Sequence, residues 1–290
     1  MLATWPLSPA VALGLLGAGL LYVEADRRVR TRAAVHAARA RRRFFMAGLA
    51  VIFVALQSPL DVQATRWLSL HMVQHLLLTM VAAPLLVLGA PVTLALRTAS
   101  PRARGWLLAA LRSFPVRLLS NPLVAWSLFF FVLWASHFTS LYEAALRSDA
   151  VHEMEHVAYL VSALLFWSPV VGTDPSPSRL SHPAKVLYLF LSMPPMAFLG
   201  LAIFSAGHVL YPTYAALEGA ARALADQRAA GALMWTGTMF LIVPALAFVL
   251  LDWMRADERD ARRADAVLAG VTRGDTVLKP RAEPAGESLS

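Results

Sequence analysis

Seven apolar stretches run along the chain, near residues 9–24, 44–59, 68–88, 122–137, 151–171, 184–206 and 231–251. A membrane-spanning helix needs about 20 mainly apolar residues, because the hydrocarbon core is about 30 Å thick and each helical residue rises about 1.5 Å. The pattern predicts an all-α, polytopic membrane protein, a seven-transmembrane helix bundle occupying residues 1–254. The first stretch is short, but it lacks a basic leader and an arginine-rich block follows it, so it reads as a span rather than a cleaved signal. From residue 255 the chain turns polar and ends in Lys279-Pro280-Arg281-Ala282-Glu283-Pro284 and a short Ser-containing tip. The first part of that tail, 255–290, can extend the last helix; the remainder reads as a largely disordered cytoplasmic tail.

The polar segments between the stretches set an orientation. The first loop carries Arg27, Arg28, Arg30, Arg32, Arg39, Arg41, Arg42 and Arg43, and the third carries Arg97, Arg102, Arg104, Arg112 and Arg117. The fifth adds Arg179 and Lys185, whereas the even-numbered loops hold only Arg66, Arg147, Arg222 and Arg228. Basic residues accumulate on the cytoplasmic side, which predicts the N-terminus outside and the C-terminus cytoplasmic.

Composition agrees with that reading. The chain is 58% hydrophobic and 15% charged, against roughly 45–50% and 25% for a soluble domain. The net charge of +8 does not signal nucleic acid, because the basic residues sit between apolar runs and not on one soluble face. There is no cysteine, which excludes disulfides, thiolate metal sites, haem thioethers and a Cys nucleophile. Soft-metal chemistry would therefore fall to His and Met.

The histidines are not scattered. His36 and His182 fall in cytoplasmic loops and read as solvated surface. The other six, His71, His75, His137, His152, His156 and His208, all lie near the outer ends of predicted helices. Polar groups inside a membrane are costly and tend to mark function. His71 and His75 are four apart, as are His152 and His156, so each pair projects from one helix face. Two such pairs can hold one metal through four imidazoles, or two metals through two each. Asp61, Glu153, Glu155 and Asp226 stand nearby as acceptors that would orient imidazoles. Met72, Met154 and Met234 share the outer layer as candidate soft ligands, although methionine also serves simply as packing. A histidine at the interface can likewise do no more than bond headgroups or cap a helix.

His152-Glu153-Met154-Glu155-His156 also satisfies H-E-x-x-H, the zinc-hydrolase pattern in which the first Glu is the general base. Trp67, Trp235 and Tyr142 read as an outer aromatic belt. Pro84, Pro194 and Pro195 are expected to kink or break the third and sixth helices.

The run His71-Met72-Val73-Gln74-His75-Leu76-Leu77-Leu78, followed by Ala83-Pro84-Leu85-Leu86-Val87-Leu88-Gly89-Ala90-Pro91, resembles the CtaG family of caa3-type cytochrome c oxidase assembly proteins. The resemblance continues through His152–His156 and Leu164–Gly172, and returns at Asp226-Gln227, Ala230-Gly231 and Met234-Trp235, covering most of residues 44–254. It implies a multi-pass protein of the bacterial cell (inner) membrane, required for maturation of a haem-copper oxidase and handling copper. Its motif positions here are His71, His75, His152, His156, Asp226, Gln227, Met234 and Trp235, while His137 and His208 are added by topology alone. The expected partners are oxidase subunits or another copper carrier, together with the lipid bilayer. Three other functions stay open on residues alone: a membrane zinc metallohydrolase, a bis-histidine haem b protein spanning the third and fifth helices, and a scaffold without metal.

Overall fold

Among the described residues every regular element is a helix. The computed structural model describes residues 7–29, 35–172, 174–175 and 179–275. The order is α1 (Pro9–Val29), α2 (Val35–Gln57), α3 (Pro59–Ala64), α4 (Leu68–Leu76), a π-helical stretch (Leu77–Ala82), α5 (Ala83–Leu88), α6 (Pro91–Thr98), α7 (Pro101–Arg112) and α8 (Phe114–Leu119). There follow α9 (Pro122–Phe138), α10 (Ser140–Arg147), α11 (Asp149–Val171), α12 (His182–Ser205), α13 (Pro212–Glu218) and α14 (Ala220–Asp275). The chain divides into two units, Met1–Leu246 and Ala247–Ser290. The second consists of the far part of α14 and is helical to Asp275, and residues 276–290 of the expected tail lie outside the described residues.

Five helical segments are long and apolar enough to cross a membrane: Pro9–Val29, Leu68–Thr98, Asp149–Val171, His182–Ser205 and Ala220–Ala266. A sixth arises when α9 and α10, bent by 72° at Thr139, are taken as one span. α2 contains the second predicted stretch, but its first turns carry Arg39, Arg41, Arg42 and Arg43, so its apolar part begins only at Phe44. Large apolar side chains stand on the outward faces, with Leu123, Phe131, Phe198 and Phe240 all well over half exposed. Lipid tails suit such faces; water does not.

The short helices between the spans were not expected, yet their starts are written in the chain. Ser58 before α3 and Ser100 before α7 each precede a proline and each accepts a backbone N–H of the following turn through its side chain, and Asn121 starts the expected helix α9 in the same way. A polar cap followed by Pro at the first helical position is a helix start signal. α6 takes its cap from a distance: the Asp174 carboxylate accepts the N–H groups of Val92 and Thr93 at 3.1 and 2.6 Å. The turn before it is sharp, with Ala90 in the left-handed region at φ 51°.

The last helix starts earlier than expected, at Ala220, because the Ala-rich run after Gly219 contains no breaker until Gly231. Gly219 itself has φ 84°, a conformation that ends α13 at no steric cost for a residue without Cβ. α12 runs unbroken through Pro194 and Pro195, so the expected break is absent there. Pro84 does coincide with an irregularity, since the π-helical stretch ends two residues before it.

The core on one side of the bundle joins α2 to the Leu68–Thr98 span through Leu49, Ile52, Ala55, Leu78, Ala82 and Leu86. Tyr22 stacks on Phe45 with ring centroids 4.1 Å apart, and its hydroxyl donates to the Gly89 carbonyl at 2.6 Å. On the other side an aromatic cluster fills the space between α9, α11 and α12: Phe129 lies 4.7 Å from Phe166, which lies 5.1 Å from Tyr188.

Candidate metal site

α4 and α11 bring their i,i+4 histidine pairs face to face. Ring centroids of His71 and His75 are 4.2 Å apart, as are those of His152 and His156. Across the helices His71 stands 5.1 Å from His152 and 6.5 Å from His156, and His75 stands 5.6 Å from His156. His137, from the end of α9, adds a fifth ring 6.5 Å from His75. His208 does not join them: it is exposed, and its carbonyl accepts from Gln227 Nε2 at 3.1 Å. His182 is half-buried at the start of α12, and the side chain of His36 lies outside the described residues.

The cluster is short of hydrogen-bond partners. Buried and unpaired are His71 Nε2, both ring nitrogens of His75, His152 Nε2, His156 Nε2 and both carboxylate oxygens of Glu155. A buried polar group left unsatisfied costs about 1–3 kcal/mol, so such a concentration marks a place for a polar occupant, an ion or water. The chemistry of the set fits a metal ion, since each neutral imidazole offers one lone pair and Glu155 offers a carboxylate. His71, His152 and Glu155 each offer a ligand atom within 4.8 Å of the other two. Metal–ligand bonds of roughly 2.0–2.2 Å place two ligand atoms at most about 4.4 Å apart, so a small side-chain adjustment closes the set.

Of the four carboxylates expected around the histidines, only Glu155 joins the group. Glu153, the general base of a zinc-hydrolase reading, is exposed, as is Met154. Asp226 faces α4 but orients no imidazole: its carboxylate accepts the backbone N–H of Ser69 at 3.2 Å and the Ser69 hydroxyl. It therefore ties the start of α4 to α14. Asp61 accepts from Gln74 Nε2 at 2.6 Å, and the same amide donates to the Ala55 carbonyl at 2.9 Å. Burial pushes the Asp61 carboxyl above its ordinary value, and the Gln74 bond and nearby His152 offset this only in part. A cavity of about 340 Å³ is lined by Gln57, Asp61, Asp149, His152, Glu153 and His156, bringing the second histidine pair to its wall.

Tyrosines roof the cluster, and sequence reasoning missed all but one of them and misread that one. Tyr142 is fully buried 5.1 Å from His71, so it is not part of an aromatic belt. Its hydroxyl lies 3.3 Å from that of Tyr214, which donates to the Ala64 carbonyl at 3.2 Å and lies 3.4 Å from His71 Nδ1. Tyr211 donates to the His137 carbonyl at 3.2 Å. Burial pushes the phenols of Tyr211 and Tyr214 up, so both remain neutral donors. The Tyr159 ring lies 4.3 Å from that of His75, tilted by 49°. It lies three residues after His156 and seven after His152, a helical spacing that signals the same face.

The fold and site thus define a polytopic helical membrane protein with a buried histidine–glutamate cluster at one end of its bundle. The sequence model of the cytochrome c oxidase caa3 assembly factor family, Caa3_CtaG, matches residues 20–256, and the chain belongs to that family. Its curated relatives include uncharacterized proteins of Mycobacterium bovis and Mycobacterium tuberculosis, each 32% identical over 231 residues, and one of Mycobacterium leprae at 30%. These matches cover 76% of this chain but only 35% of the length of each relative. No solved structure matches it.

Proposed function

We propose that this chain is a seven-span protein of the bacterial inner membrane, N-terminus outside and C-terminus cytoplasmic, that binds copper at its outer face and supports metallation of a haem-copper oxidase. His71, His75, His152 and His156 hold the ion with Glu155, and His137 lies within reach of His75. The observation that carries this reading is the approach of His71, His152 and Glu155 ligand atoms to within 4.8 Å of one another, with unpaired ring nitrogens of His75 and His156 beside them. Family membership supplies the oxidase context. Arginines concentrated in the odd loops support the orientation, and the apolar part of α2 supplies the seventh crossing.

Copper suits the donor set, since imidazole favours late first-row metals and a single carboxylate balances part of the charge. The ion is cargo on this reading, passed to an oxidase subunit or taken from another carrier, and the chain performs no turnover. The place of Glu155 in the cluster, with Glu153 outside it, favours holding over hydrolysis.

The test is metal analysis of detergent-purified protein beside the variants His71→Ala, His152→Ala and Glu155→Gln, with oxidase maturation followed in cells. Copper in the wild type that is lost in the variants, with failed maturation, is the expected result. Wild type without copper, or variants that keep both copper and maturation, would overturn the proposal. A Soret band would transfer the site to haem, and loss of function in Glu153→Gln alone would transfer it to a hydrolase.

A further inference from the structure

Four methionines lie against the histidine cluster from its other side. Met72 is 0% exposed, Met80 4%, Met196 5% and Met234 7%. Together with His75 and His137 they line a cavity of about 20 Å³, room for one water-sized particle or one ion. They come from four different segments: α4, the π-helical stretch, α12 and α14. Methionine can fill gaps anywhere in a bundle, but these four share their cavity with two imidazoles.

The geometry at His137 distinguishes a site from packing. Its Nδ1 lies 2.7 Å from the Leu133 carbonyl oxygen, which can only accept, so the ring proton sits on Nδ1. The Ser136 and Tyr159 hydroxyls lie farther from that nitrogen, at 3.2 and 3.3 Å. In the neutral ring Nε2 is therefore a bare lone pair. Its neighbour is Met72 Sδ at 3.5 Å, which also offers only lone pairs. Two acceptors face each other with no donor between them, while both ring nitrogens of His75 on the same cavity wall are unpaired. A cation between them would take the His137 and Met72 lone pairs and one from His75, whose other ring nitrogen carries the proton in the neutral ring.

Thioethers are soft ligands, neutral imidazole is borderline and both are uncharged, so a set dominated by thioethers selects soft monovalent ions over harder dications. We propose that this cavity is a second cation site, for one soft monovalent ion of the Cu(I) class, held by His137 Nε2 and Met72 Sδ with thioethers from Met80, Met196 and Met234. It shares His75 with the histidine–glutamate group, so the two sites are neighbouring stations for the same metal in different ligand fields. This inference rests on the copper-handling reading only for the identity of the natural ion.

Silver(I), a redox-silent soft cation, is the probe. The full chain in detergent is titrated with Ag(I) and, separately, with Cu(II), in wild type, in Met72→Leu/Met234→Leu and in His71→Ala/Glu155→Gln. Leucine approximates methionine in volume, so thermal unfolding of the metal-free thioether variant should match wild type. That variant should lose Ag(I) affinity by at least the roughly 10–100-fold that removing a supporting partner costs a metal site, and keep its Cu(II) binding. The His71/Glu155 variant should show the reverse. X-ray absorption of the silver-loaded wild type should report sulfur ligands. Unchanged Ag(I) affinity in the thioether variant, absence of sulfur ligation, or equal loss of both ions in both variants would overturn the second site. Wild type that takes Ag(I) through sulfur but no copper would leave this site standing and defeat the copper assembly reading instead.

Discussion

The indole Nε1 of Trp167 donates to the Thr79 carbonyl at 2.9 Å, bridging α11 to the π-helical stretch that follows His75. That carbonyl has been released by the local winding. The Ala83 N–H reaches back to Leu78 instead of Thr79. The next residue, Pro84, has no N–H to give. The Leu68–Thr98 span can thus widen beside its histidines while the Thr79 carbonyl keeps a partner. π-turns are often found at functional sites.

Trp167→Phe keeps most of the ring packing and removes only this donor. Trp167 is 1% exposed, so the Thr79 carbonyl would be left without water to replace it. We expect a loss of about 1–3 kcal/mol, read as a lower unfolding temperature in detergent with an unchanged helical circular dichroism spectrum. A variant as stable as wild type would show that the Thr79 carbonyl finds another partner.

A second prediction concerns the close approach of α12 and α14. A Cβ on Gly231 would meet the Phe204 backbone nitrogen at 2.5 Å and the Gly200 carbonyl oxygen at 2.6 Å. A Cβ on Gly200 would meet the Gly231 oxygen at 2.7 Å. The obstacles are backbone atoms and cannot rotate away, so this is a small-residue helix contact of the membrane type. Gly231→Ala should separate the helices and lower stability by about 1–3 kcal/mol or more. Gly14→Ala, where nothing lies within 4 Å, should be neutral or slightly stabilising through helix propensity. Equal unfolding temperatures for the two variants would refute the contact.

The apolar periodicity and the spacing of His71, His75, His152 and His156 were legible because both are properties of a single helix: a length, a face and a depth. Convergence was not legible, because it depends on which helices are neighbours. His137 and His208 looked alike from their positions near helix ends, yet one enters the cluster and the other faces out. Glu153 and Glu155 are two residues apart, and helical rotation alone sends them to opposite surroundings. The tyrosine roof was hidden for another reason. Tyr211 and Tyr214 lie in or beside a short loop helix, and aromatic residues at such a depth ordinarily suggest an interfacial belt. The π-stretch left only Pro84 as its mark.

Asp61 yields a pH prediction. Its folded-state pKa is raised above the ordinary 3.8, so the folded chain holds this proton more tightly than the unfolded one. Stability from this group therefore falls as pH rises from the unfolded value through the folded one, and the loss is complete above both. Asp61→Asn keeps an oxygen for the Gln74 amide and removes the buried charge. In metal-free protein the variant should unfold at a higher temperature than wild type at pH 7, and the gap should narrow toward pH 4. A gap of opposite sign at pH 7 would mean that the carboxylate is stabilised by a cation in the bundle.

Glu155 and Glu153 give the most direct contrast at the site, because both lie on the same turns of α11 and differ mainly in burial. Glu155→Gln retains shape and removes the one carboxylate that, among the described residues, groups within 4.8 Å of the His71 and His152 ring nitrogens. With metal at about 100 times its dissociation constant, binding should stabilise the wild-type fold by about 2.7 kcal/mol. That metal-dependent rise in unfolding temperature should persist in Glu153→Gln and largely vanish in Glu155→Gln. The metal-free unfolding temperature provides the control, since a purely structural role for Glu155 would shift it without touching the metal-dependent increment. If Glu155→Gln keeps the full increment, the carboxylate is not a ligand and the ion, where bound, is held by imidazoles alone.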